Sequence, residues 1–88
     1  MIITPDTRPG SGHGGLLHHL TVDMINDHLG FSPNVSDDPN KVVNSWGFTV
    51  NGIHCGIWDW NGSHNIGEFH YSGPKEIMTE IFGPKCVD

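Results

Sequence analysis

The stretch KVVNSWGFTVNGIHCGIWDW, residues 41–60, limits the possible folds more than any other part of the chain. Asn51-Gly52 lies between two β-rich runs, and both residues tolerate the positive φ of a type I′ turn, whose twist matches that of paired strands. A two-residue loop pairs Val50 with Ile53, Phe48 with Cys55, Trp46 with Ile57 and Asn44 with Asp59 on one face. Side chains alternate along a strand, so the other face carries Thr49 with His54, Gly47 with Gly56, Ser45 with Trp58 and Val43 with Trp60. The first face is apolar and reads as core. The second places two glycines opposite each other, which points to a close backbone approach there.

The rest of the chain is short on core-forming material. With 88 residues, 35% of them hydrophobic, it supports one domain with a single sheet and one or two helices. Twelve Gly and six Pro predict many turns. So small a core favours further burial in a homo-oligomer or against a partner. The formal net charge is −6, from ten acidic and four basic residues, so the clustered cations needed to bind a nucleic-acid backbone are missing. Two cysteines, Cys55 and Cys86, fall short of a disulfide scaffold. The opening MIITPDTRPG lacks the pattern of a secretory signal, and no apolar run is long enough for a membrane span. These features predict a soluble cytoplasmic protein with reduced thiols and no membrane contact.

Residues 4–15 combine Pro and Gly with no large apolar side chain, a composition that predicts a flexible arm over residues 1–15 ahead of a single domain over 16–88. His13, His18 and His19 have no diagnostic metal spacing, so polar filler is favoured over a metal-binding arm. Thr21 as N-cap and Gly30 as C′ residue frame a helix over residues 22–29, with residues 16–20 leading in as an extended segment. Residues 31–40, with Pro33 and Pro39 and the Asp37-Asp38 pair, form a loop that Phe31 anchors.

After the hairpin, a five-residue loop over 61–65 places Trp58 opposite Glu68 and Gly56 opposite His70, with Phe69 and Tyr71 on the core face. A tight turn at Asn61-Gly62 would reverse that parity. A last helix begins around Pro74, capped by Ser72 or Gly73, and stops at Gly83-Pro84. Its stripe is Ile77, Ile81 and Phe82 with Met78 at the border, and a frayed tail follows. The expected architecture is α+β: a three-stranded antiparallel β-meander, two short helices packed on one face, and a flexible Gly/Pro-rich N-terminal arm.

Lys41-Val42, Ser45-Trp46-Gly47-Phe48, Asn51-Gly52, the run from Cys55 to Asp59 and a helix ending in Phe82-Gly83 together resemble a pattern found in small accessory proteins of tailed bacteriophages. The resemblance spans roughly residues 20–83. It implies action against host machinery or host defence in the host cytoplasm, and it brings no catalytic residues.

The glycine face is the expected ligand-binding site, formed by Ser45, Gly47, Thr49, His54, Gly56, Trp58, Trp60, Glu68 and His70, with Arg8 on the arm. Indoles stack on planar ligands, glycines admit a ligand to the backbone, and the polar side chains orient it. With the phage context, this favours sequestration of a nucleotide-derived immune signal without cleavage, although positive partners for a phosphate are few. A second reading makes the same face an interface to a host protein, since Trp is enriched at interface hot spots. A third treats His54, His70 and Glu68 as a metal-dependent hydrolytic set, despite their diagonal offset. A fourth has a third helix or the N-terminal arm cover this face, making Trp58 and Trp60 ordinary core and the glycines clearance for the crossing segment. The expectation is a non-enzyme with no catalytic residue, no resident metal and no cofactor.

Overall fold

The structure, a computed structural model, describes every residue except 11, 13 and 37–39. His13 and the Asp37-Asp38 pair therefore lie outside the described residues.

The central hairpin forms as the turn chemistry dictates. Strands β3 (Ser45–Val50) and β4 (Ile53–Trp58) pair antiparallel from Val50↔Ile53 to Ser45↔Trp58. Asn51 (φ 52°) and Gly52 (φ 79°) supply the two positive torsions of the turn. Trp46, Phe48, Val50, Cys55 and Ile57 are buried on the core face.

The sheet has five antiparallel strands, not three, in the order β1-β3-β4-β5-β2. Strands β1 (Ile3–Pro5) and β2 (Gly15–Leu17) come from the segment expected to be a flexible arm or an extended lead-in. They pair along opposite edges, β1 with β3 and β2 with β5 (Phe69–Ser72). Strands β1 and β2, separated by residues 6–14 in the chain, therefore lie at opposite edges of the sheet.

Strand β5 keeps the expected parity with a shifted register. It pairs Trp58 with His70, Ile57 with Tyr71 and Gly56 with Ser72, two residues from the expected alignment. Phe69 and Tyr71 still enter the core, since a shift of two conserves the face. The connection is longer than five residues because residues Ser63–Ile66 coil into a 3-10 turn. Asn61 (φ 52°) and Gly62 (φ 80°) adopt the torsions of a tight turn, and Ser63 N donates to Trp60 O, but the chain then coils without returning as a strand.

Helix α1 (Val22–Leu29) has the expected bounds. Thr21 Oγ1 accepts from Met24 N, and Gly30 closes the helix in the left-handed region at φ 90°. Helix α2 spans Lys75–Phe82, with Pro74 at the cap position in place of Ser72 or Gly73 and without a side-chain cap. Met78, expected at the border of its stripe, is fully buried, while Ile77 and Ile81 are half-buried. Ile25, Leu29, Met78 and Phe82 join the core-face aromatics in one cluster, so both helices cover that face. Phe31 packs edge-on against Phe48, as expected of a loop anchor.

The tail is tied down where fraying was expected. Val87 bridges Leu17, His18 N donates to Cys86 O, and Asp88 N donates to Leu16 O, which covers the outer edge of β2. No described helix is long and apolar enough to cross a membrane.

Candidate functional site

Register places Ser45, Gly47, Thr49, His54, Gly56, Trp58 and His70 on the face opposite the helices, as the sequence predicts. Trp58 and His70 stack with ring centroids 6.0 Å apart and planes 14° from parallel. Two expected members lie elsewhere. Glu68 precedes β5, and its carboxylate meets His18 Nδ1 at 3.5 Å. Trp60 lies beyond the end of β4, at the corner of the sheet.

The glycine floor is covered by the chain itself. Residues 6–10 cross it like a belt, held mainly through backbone. Asp6 N donates to Gly47 O, and the Arg8 carbonyl accepts from His54 Nε2 at 3.1 Å, which assigns the proton to that ring nitrogen. A Cβ on Gly47 would collide with the Asp6 carbonyl and lie 2.6 Å from that of Arg8. A Cβ on Gly56 would lie 2.7 Å from Gly10 Cα, and one on Gly10 would lie 2.6 Å from Ser72 Oγ and 2.9 Å from the Trp58 ring. The facing glycines are thus clearance for a crossing segment, as the fourth reading of the sequence has it, but Trp60 is not the core residue that reading makes it. Ser72 Oγ, buried beneath the belt, has no hydrogen-bond partner among the described residues.

Arg8 crosses the floor with its backbone only. Its guanidinium is largely exposed and pairs with Asp6, Nη2 to Oδ2 at 2.6 Å. The hydrogen bonds from Arg8, side chain first and then backbone, hold the Asp6 carboxyl down at about 2. The Gly47 peptide groups are satisfied from the side: Asn34 Oδ1 accepts from Gly47 N and Asn34 Nδ2 donates to Gly47 O. Asn34 thereby acts as a short surrogate strand where β1 has ended.

The histidine and carboxylate set of the hydrolytic reading does not assemble. His70 lies opposite Trp58, four positions along β4 from His54, or about 13 Å of strand. Glu68 has turned toward His18, whose other nitrogen faces Asp88 Oδ2 at 3.4 Å. The two carboxylates flank opposite edges of that ring, and no cluster of three metal-ligating side chains occurs among the described residues. Burial pushes the Cys55 thiol up, and it packs as a core side chain.

The pair that the hairpin register sets opposite each other, Asn44 and Asp59, is hydrogen-bonded, and more is built on it. Asp59 is fully buried; its Oδ1 accepts from Val43 N (2.8 Å) and Asn44 N (3.1 Å), and its Oδ2 accepts from Asn44 Nδ2 (3.0 Å). His64 Nδ1 lies 2.7 Å from Oδ2, off the line of a straight hydrogen bond. One carboxylate thus ties the start of β3 to the 3-10 turn.

This frame carries Trp60, whose backbone N donates to Ser63 Oγ. Trp60 is 41% exposed, whereas Trp46 is fully buried with its Nε1 donating to Asn26, and Trp58 is half-buried beside the belt. Val43, 70% exposed, occupies the position opposite Trp60 if the β3/β4 register is continued, as the Asp59 N to Asn44 O bond continues it. Ile66, 73% exposed, ends the 3-10 turn, and Lys41 Nζ lies 5.3 Å from the Trp60 ring centroid. The signal in the sequence for this corner was the Asp59-Trp60-Asn61-Gly62 run. Its buried acid beside an exposed indole became apparent only from the turn conformation.

No family model, curated protein or solved structure matches the chain.

Proposed function

We propose that this chain is a non-enzymatic binding protein, a phage-type accessory factor that acts on a host pathway by docking against a host protein through the Trp60 corner. The observation carrying this reading is the partly exposed indole of Trp60, next in the chain to the buried and hydrogen-bonded Asp59, with Val43 exposed at the same end of the hairpin. Tryptophans on rigid supports are typical interface anchors, because little side-chain entropy is lost when they are buried. Sequestration of a nucleotide-derived signal on the glycine face has less support. It requires residues 6–10 to leave the floor, and the described surface holds no pocket of the kind that encloses a small ligand.

The test is affinity capture from host extract on the immobilised protein, comparing wild type with Trp60→Ala, alongside mass spectrometry of anything released from the protein by heat after incubation with nucleotide signals. Trp60→Ala is expected to melt within about 4 °C of wild type, as a surface change of roughly 0.5 kcal/mol or less should. It is also expected to lose a discrete partner that wild type retains. Retention of that partner by Trp60→Ala, or stoichiometric recovery of an intact nucleotide, overturns the proposal. If the partner is a second copy of the chain, Trp60→Ala lowers the molar mass in solution, which overturns the host-protein assignment.

A further inference from the structure

We infer that the partner segment received at the Trp60 corner presents an apolar side chain flanked by a single carboxylate. This inference rests on the docking reading above and adds the chemistry of the occupant.

The first observation is where the cation sits. The chain has four basic residues, and Arg8 is neutralised by Asp6 on the belt. Lys41 stands over the Trp60 ring, and its carbonyl accepts from Asn61 N, so main chain and side chain both fix it to this corner. An ammonium at the face of an indole keeps donors directed away from the ring, available to an acceptor that arrives from outside.

The second observation concerns the acids of the two segments that meet at this corner, Asp37 and Asp38 lying outside the described residues. Among the described residues 40–45 and 59–66 the only carboxylate is Asp59, which is fully buried and engaged by Val43, Asn44 and His64. No exposed acid of these residues is available to quench Lys41. The Trp60 ring beneath the cation is partly exposed, as are Val43, two residues after Lys41, and Ile66 at the end of the 3-10 turn. A surface of this composition gains most from a partner that covers the apolar groups and brings one acceptor to the ammonium.

The net charge of the molecule limits how acidic that partner segment can be. At −6 overall, the chain repels an extended polyanion over a Debye length of about 8 Å in physiological salt, whereas one carboxylate meeting Lys41 is favoured by direct contact. A leucine, methionine or phenylalanine next to one aspartate or glutamate satisfies both conditions. An acidic tract does not.

The experiment uses the full chain, labelled with nitrogen-15, and two capped hexapeptides that differ at one position. One carries Leu followed by Asp and the other Leu followed by Asn, with Ser and Gly elsewhere. The probe is the indole N–H cross-peak of Trp60. Both peptides are expected to move it, with the Asp peptide binding roughly two- to fivefold tighter, the scale of an exposed ion pair. That difference should vanish in Lys41→Gln and at about 0.5 M salt, where the screening length falls to a few ångströms. Equal affinity of the two peptides for wild type overturns the carboxylate and leaves the apolar docking corner standing. Shifts confined to Trp58, Gly10 and Gly56 move the binding face to the glycine floor and overturn both readings. A Trp60 peak that neither peptide moves also overturns the inferred occupant.

Discussion

Asp59 shows how one side chain organises a corner of this protein. A buried carboxylate is stable only when its lone pairs are met, and here two backbone N–H groups and the Asn44 amide meet them. Asp59→Asn would turn an amide NH2 toward groups that are themselves donors. The expected cost is about 2–4 kcal/mol, read as a lower urea midpoint, and a loss below about 1 kcal/mol would contradict the role assigned to this carboxylate. Asp6 offers a pH readout on the belt. Its folded value lies at about 2 against an ordinary 3.8, lowered chiefly by hydrogen bonds from Arg8. A depressed carboxyl contributes stability above its ordinary value and loses that contribution as the pH falls through the folded value. A carbon-13 titration of the Asp6 carboxyl should therefore have its midpoint near 2. A midpoint near 3.8 would mean that the Arg8 pair does not persist in solution.

At the scale of elements, the belt and the hairpin depend on each other through glycine. Gly47→Ala would drive a methyl into the Asp6 and Arg8 carbonyls, backbone atoms that cannot rotate away. The expected loss is about 1–3 kcal/mol by thermal melting, with Thr49→Ala on the same face costing less than about 1 kcal/mol. Equal effects would argue against a belt. Much of this level was legible in the sequence. Asn51-Gly52 gave the hairpin and its register, because its torsional preference is local, and Thr21 with Gly30 gave α1 for the same reason. Strands β1 and β2 were not legible. ITP and GLL are too short to show a period, and their pairing partners lie about 45 and 55 positions away in the chain. The register of β5 was missed by two because Ser63–Ile66 coils, although a parity argument still placed Phe69 and Tyr71 correctly. The members of the glycine face were legible but their cover was not, since a segment held through its backbone leaves no side-chain pattern beyond the glycines it needs.

Over the whole molecule, both faces and one edge of the sheet are closed from within. Helices α1 and α2 cover one face and the belt crosses the other; residues 86–88 line the β2 edge, and the β1 edge is three residues long and ends in Pro5. A chain with so small a core gains by satisfying its backbone this way. The proposed recognition surface is accordingly the Trp60 corner in place of the glycine floor, because exposed apolar side chains and a cation remain there. The belt is the element on which that shift depends. Its most direct test is the proton nuclear Overhauser spectrum of the wild-type protein at neutral pH. Cross-peaks from the Gly10 α protons to the Gly56 α protons and to the Trp58 ring are expected, because these groups touch across the floor. If those cross-peaks are missing and residues 6–10 resonate at random-coil positions, the floor is open, and the case for moving recognition to the corner fails.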